Sequence, residues 1–260
     1  MMLFKIKSYI QFLWRSKNEH GVHSPFVFDL VTKCFYDKTK YPAYLILNNY
    51  RNALLKNKNF IDVTDFGAGS RVFKSNKRQV ARIAKTAGIS KRSAALLFRV
   101  IRYFQPDNIL EIGTSLGLAT SAMHLGNKNA KIITLEGCPQ TINQCQLQLQ
   151  KFDINNVECV NSKFEDYFKT LELKPTTFNF IYFDGNHSKT ATLAYFEILL
   201  PTITNESVWI FDDIHWSAEM ELTWEIIKEH PKVTVTIDTF QWGMVFFRNE
   251  QVKEHFLIRI

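Results

Sequence analysis

The stretch Asn108-Ile-Leu-Glu-Ile-Gly113-Thr-Ser-Leu-Gly117 decides how this chain is read. A short apolar run leads into a turn bounded by glycines, and a helical pattern follows at about 117–125. A strand that enters a helix through such a turn leaves backbone N–H groups unpaired and aims the positive end of the helix at whatever binds there.

Working outward, the same unit repeats. Further apolar runs lie at Lys131–Leu135, Val157–Val160, Phe178–Phe183, Ser207–Phe211, Val233–Ile237 and Gly243–Phe247. Amphipathic stretches at about 139–152, 188–199 and 217–230 separate several of them. Strand–helix alternation predicts a mainly parallel, seven-stranded α/β sheet of Rossmann-like type, covered by helices on both faces. Only Asp238–Trp242 separates the last two runs, which predicts a closing hairpin with an antiparallel edge strand.

Residues 1–107 read differently. Ser24-Pro25 looks like an N-cap followed by proline at the first helical position. Pro42 opens a second helix from Ala43 to about Lys56. Residues 60–76 carry turn residues and read as a loop, and helices follow at about 77–87 and 91–105. The chain is therefore divided into a helical extension, 1–90, and an α/β domain, 91–260. His20 and His23 precede Ser24-Pro25; with no cysteine and one acid nearby, they read as a structured loop rather than a metal site.

Charge follows a similar division. The 260 residues carry a net +7, but residues 1–104 hold 20 Lys+Arg against 5 Asp+Glu, and residues 105–260 hold 12 against 20. A basic region beside an acidic one suits either an anionic partner or a solvated helical surface. Four cysteines lack zinc-ligand spacing and read as reduced thiols. No apolar run approaches the roughly 20 residues of a membrane-spanning helix, and the N-terminus makes a poor signal peptide. A cytoplasmic, soluble protein is expected. Leu3–Trp14 could lie on a membrane surface as a basic amphipathic helix, but packing of its apolar residues on the core is the stronger expectation.

Three chemistries compete for the glycine turn. A dinucleotide site wants GxGxxG, and Gly113-Thr-Ser-Leu-Gly117 lacks the middle glycine. The same five residues spell GxSxG, the nucleophile elbow of hydrolases, with Ser115 as nucleophile and Asp212 and His215 in the right order behind it. An elbow should follow several earlier strands, and no oxyanion segment rich in glycine precedes it here. Third, Glu111-Ile-Gly113-Thr-Ser-Leu-Gly117 resembles motif I of the class I S-adenosylmethionine-dependent methyltransferases, E/D-x-G-x-x-x-G.

The resemblance extends over roughly residues 92–250 and implies site residues. Gly113, Thr114, Ser115 and Gly117 would hold the methionine moiety of S-adenosylmethionine, and Glu111 would belong to the site of this cationic cofactor. Glu136, ending the second strand, would hold the ribose hydroxyls. Ser162 and Phe164 would flank adenine, although Ser162 suits a helix N-cap equally well. Asp184, Asp212 and Asp213 stand where the catechol and caffeoyl-CoA type O-methyltransferases bind Mg²⁺. Oxygen donors of this kind suit Mg²⁺ or another hard divalent cation. Asp184-Gly-Asn-His187-Ser188 departs from that type and resembles a D-G-x-H-S branch, in which Asp184 would contact cofactor or substrate instead. His187, then His215, are the expected proton acceptors, with Asp184 beside them.

The resemblance therefore implies methylation of a small-molecule hydroxyl. Methylation of RNA or another nucleic acid through the basic region, and a silent cofactor-binding module, are the alternatives. A homodimer is compatible with either.

Overall fold

The computed structural model describes residues 2–64, 66, 73, 75–173 and 177–260. In chain order its elements begin with α1 (Met2–Arg15), α2 (Pro25–Leu30), α3 (Ala43–Lys56), β1 (Phe60–Asp62), β2 (Lys77–Gln79), α4 (Val80–Thr86) and α5 (Lys91–Phe104). Then come β3 (Asn108–Ile112), α6 (Leu118–Gly126), β4 (Lys131–Glu136), α7 (Pro139–Lys151), β5 (Val157–Asn161) and α8 (Phe164–Leu173). The last are β6 (Phe180–Phe183), α9 (Lys189–Leu199), β7 (Val208–Asp212), α10 (Ala218–Glu229), β8 (Val235–Asp238), β9 (Trp242–Phe246) and β10 (Glu254–Leu257).

Two compact units share the chain. One is residues 37–170; the other joins 1–36 to 171–260. Neither boundary falls at 90/91.

In the continuous unit, β3, β4 and β5 are parallel, with β4 between the other two. Ile109 to Ile112 are all buried, as expected of a strand covered on both faces. The helices are set by their ends as well as their faces. Ser90 caps α5 by accepting a hydrogen bond from the Ser93 amide, and Gln105 closes it in the left-handed region ahead of Pro106. Leu47, Tyr50, Arg51 and Leu54 form the buried face of α3, at i, i+3, i+4 and i+7 spacing. Residues 60–62 and 77–79 pair as an antiparallel ribbon, so part of the expected loop is strand and α4 starts three residues later than its pattern implied.

The discontinuous unit holds the other strands. β6 and β7 are parallel; β9 is antiparallel to both β7 and β8, and lies between them. The antiparallel strand is thus interior, and β10 pairs parallel to β8 on its far side. The sequence pattern gave no sign of β10, because half-buried Glu-His-Phe-Leu neither alternates cleanly nor forms an apolar run. Stacked rings of Phe183 and Phe211, 4.2 Å apart, tie β6 to β7, and Trp209 packs on Phe183 at 5.5 Å. Each such buried aromatic contributes roughly 2 kcal/mol of transfer free energy.

The ends of this unit meet through backbone. The Lys17 amide donates to the Leu257 carbonyl at 2.8 Å, and the Arg259 amide to the Lys17 carbonyl at 3.2 Å. Ser24 caps α2 as its sequence predicts, with the Val27 amide donating to Oγ at 3.4 Å. His20 lies in a 3-10 turn, Glu19–Gly21, capped by Asn18. All four cysteines are free thiols.

Candidate functional site

Between β3 and α6 the backbone enters the left-handed region three times, at Gly113 (φ 104°), Ser115 (φ 48°) and Gly117 (φ 74°). Only Gly117 has a packing reason as well. A Cβ there would come within 2.6 Å of both the Tyr50 Oη and the Cys145 Sγ. Tyr50, fully buried, donates its hydroxyl hydrogen bond to the Leu116 carbonyl at 3.0 Å. Gln148 in turn donates to the Tyr50 carbonyl at 3.1 Å. So α3 and α7 brace the turn from behind. Tyr50 has no motif signal in the sequence; only its place on the apolar face of α3 hints at a structural role.

Glu136 ends β4 beside this turn. Its carboxylate accepts the Ser115 amide at 3.1 Å and the Cys138 amide at 2.9 Å. Asn161 ends β5, Ser162 follows it, and both bond to the same backbone: the Asn161 side-chain amide donates to the carbonyls of Glu136 and Gly137, and the Ser162 N–H to that of Glu136. The Ser162 hydroxyl donates to the Lys163 carbonyl, while Phe164 opens α8 half-buried.

Glu111 is placed differently from its neighbours. It is completely buried, with Oε2 accepting from Thr120 at 2.5 Å and Thr134 at 2.6 Å. Thr134 also shares a hydrogen bond with Thr114. Burial raises the Glu111 pKa to about 7, against the two threonine hydrogen bonds and with help from the charge of Glu136. Its Oε1 has no hydrogen-bond partner among the described residues. Glu111 thus supports the turn from below.

The second group of expected residues lies in the discontinuous unit. Asp184 follows β6, and its Oδ1 is 3.6 Å from the His187 Nε2. Both side chains keep some exposure, 19% and 25%. Ser188 caps α9 by accepting from the Ala191 amide, which fixes the segment that carries His187.

Asp212 ends β7. Its Oδ2 accepts from the Tyr182 hydroxyl at 3.0 Å, and its Oδ1 accepts from the Asp213 amide and the Gln241 side chain, both at 2.8 Å. Gln241 also reaches Asp213 at 3.2 Å. Burial, then the charge of Asp212, raises the Asp213 pKa; His187 and Lys5 oppose the shift. These acids are therefore stabilised by hydrogen-bond donors on the strand ends and the β8–β9 turn. Among the described residues no three His, Cys, Asp or Glu side chains gather closely enough to hold a metal. Asp184, Asp212 and Asp213, expected from sequence as ligands of a divalent cation, are not gathered into such a group.

His215 is enclosed. Its Nε2 is 2.8 Å from Asp238 Oδ2, its Nδ1 is 3.0 Å from Glu221 Oε1, and its ring stacks on Phe240 at 5.0 Å. Burial lowers its pKa, but the two carboxylates outweigh that and the net shift is upward. With a carboxylate on each ring nitrogen, neither nitrogen is open to a substrate, so the expected role in taking a substrate proton does not suit it. The sequence hid this because Asp238 and Glu221 lie 23 and 6 residues away.

Residues 110–214 match the family model for a methyltransferase domain. No curated protein matches the sequence. Among solved structures, the chain is similar to the O-methyltransferase from Bacillus cereus in complex with SAH, with 17% identity, TM-score 0.56, and 82% of this chain and 94% of that one covered. It is similar to the SAH-bound methyltransferase from Podospora anserina, with 15% identity, TM-score 0.59, and coverage of 88% and 97%. It is also similar to the O-methyltransferase TomG from Streptomyces achromogenes in complex with SAM, with 14% identity, TM-score 0.57, and coverage of 84% and 95%. The chain thus has the Rossmann-like fold of the class I methyltransferases, and the methyltransferase-domain match lies within its α/β region.

Proposed function

We propose that this chain is an S-adenosylmethionine-dependent methyltransferase that acts on a hydroxyl group of a small molecule. The observation that carries the reading is Glu136, held by the Ser115 and Cys138 amides at the rim of the glycine turn. A carboxylate in that position suits the paired hydroxyls of a ribose, and a turn without a middle glycine suits an amino-acid moiety better than a pyrophosphate. The donor set fits S-adenosylmethionine, which when bound supplies an electrophilic methyl group on a good leaving sulfide.

The protein's tasks are then orientation and proton removal. Gly113, Thr114, Ser115 and Gly117 would hold the methionine end, and Glu136 the ribose. Ser162 and Phe164 would border the adenine. His187 would take the proton of the acceptor hydroxyl, with Asp184 close enough to favour the imidazolium that forms. The D-G-x-H-S sequence and the hydrogen-bonded state of Asp212 support proton transfer by this pair without a metal.

Calorimetric titration with S-adenosylhomocysteine, with and without Mg²⁺, tests the first half. Equal binding in both is expected, and no binding at millimolar ligand sinks the proposal. Methyl transfer to a panel of hydroxyl acceptors tests the second half. His187→Gln should lower kcat by about 10²–10⁴ while cofactor binding persists.

A further inference from the structure

Helix α1 presents two apolar faces. The inward one is short. Phe12 is 5% exposed, Phe12 and Tyr9 pack on Phe240 at 5.6 and 4.8 Å, and Ser8 donates to Glu221 at 3.5 Å. Lys5 turns toward the same side, with its ammonium 3.7 Å from the centre of the Trp216 ring.

The outward face carries Leu3, Ile6, Ile10 and Trp14, which are 82%, 46%, 53% and 90% exposed. At helical spacing these residues line one stripe about 60–80° wide. The packing on the core expected of the apolar residues of Leu3–Trp14 therefore holds for Phe12 but not for these four. A monomer surface rarely leaves a helix-long row of large apolar side chains in water.

Charge selects the occupant. The exposed side chains of Lys7, Arg15 and Lys17 lie on or just beyond this helix, and residues 1–18 contain no acid. A second copy laid on the stripe about a two-fold axis would bring these cations against one another. Nucleic acid would meet the cations but leave the apolar stripe wet. An anionic bilayer satisfies both: the stripe enters the acyl boundary, cations meet lipid phosphates, and tryptophan takes the interfacial depth it favours.

We propose that α1 docks the protein, reversibly and parallel to the surface, on membranes that contain anionic phospholipid. This does not depend on the methyltransferase reading. The test is co-flotation of the full chain with vesicles of phosphatidylcholine alone and of phosphatidylcholine mixed with phosphatidylglycerol. Flotation with the mixed vesicles is expected, decreasing at high salt as the charges are screened. Leu3→Ser, Ile10→Ser and Trp14→Ser should each weaken it by about tenfold, and Lys7→Glu with Arg15→Glu should abolish preference for the anionic vesicles.

All five positions are exposed, so unchanged thermal unfolding of these variants serves as the folding control. Absence of flotation with mixed vesicles overturns the proposal, as does flotation that the stripe substitutions leave unchanged. A dimer in sedimentation that these substitutions dissociate would assign the face to a second copy. Retention on RNA without vesicle binding would assign the cations to nucleic acid. Either result also overturns it.

Discussion

Glu136 and Ser115, 21 residues apart in sequence, are joined by a 3.1 Å hydrogen bond from the Ser115 amide to the Glu136 carboxylate. The acid at the end of one strand thereby fixes the turn that follows its neighbour. Glu136→Ala should consequently do two things. It should weaken S-adenosylhomocysteine binding by about 1–3 kcal/mol through lost ribose hydrogen bonds. It should also loosen the turn, seen as faster amide exchange at Ser115 and Cys138. A Glu136→Ala protein with unaltered affinity would remove Glu136 from the site.

Ser115 separates two readings of the same five residues. Its φ of 48° is one that glycine adopts without strain, and its hydrogen bond to Glu136 uses the backbone amide. Ser115→Gly should therefore keep cofactor affinity within about threefold and lose no stability. A hydrolase nucleophile could not tolerate that change. Detectable ester hydrolysis that disappears in Ser115→Gly would revive the nucleophile-elbow reading.

Glu111 should leave a mark on the stability–pH curve. Its folded pKa, about 7, lies above its ordinary 4.5. Between those values the folded chain holds a proton that the unfolded chain has released, so stability falls as pH rises through this window. The drop from this one group approaches ~3 kcal/mol. Other groups titrate nearby, so the informative quantity is the difference between wild type and Glu111→Gln. Relative to the wild type, Glu111→Gln should gain stability from pH 5 to pH 8. Parallel curves in denaturant titrations would contradict this account.

His215 predicts a difference of similar size for the opposite reason. Its folded pKa is raised above 6.5 by Asp238 and Glu221 despite burial, so its contribution is complete below 6.5 and fades as pH rises through the folded value. His215→Asn should destabilise the protein by about 3 kcal/mol at pH 6, because it leaves buried Asp238 without its cation. At pH 9 the loss should shrink. A pH-independent loss would mean that the ring acts only by packing on Phe240.

The glycine turn and the six strands leading up to β9 were legible because their signals are local. Asn108–Ile112 was read with both its ends correct, and α3 began and ended where Pro42 and the apolar pattern put it. What escaped depends on contacts remote in sequence. β10 exists because β8 offers it a paired edge, and the β1–β2 ribbon joins segments 15 residues apart. The position of β9 between β7 and β8 is a matter of sheet order, on which two adjacent apolar runs are silent. In the candidate site, residue identities pointed to Glu136, but nothing in the pattern showed that Asp212 would be satisfied by Tyr182 and Gln241, or His215 by two acids.

The meeting of Lys17 with Leu257 and Arg259 also orders events during synthesis. Residues 1–36 leave the ribosome before the rest of their own unit, whose partners for them, Glu221, Phe240 and Leu257 among them, are made after residue 170. The intervening unit, residues 37–170, is one continuous stretch of chain. While it is being made α1 waits for its partners, and throughout that wait both apolar faces of α1 are open to chaperones.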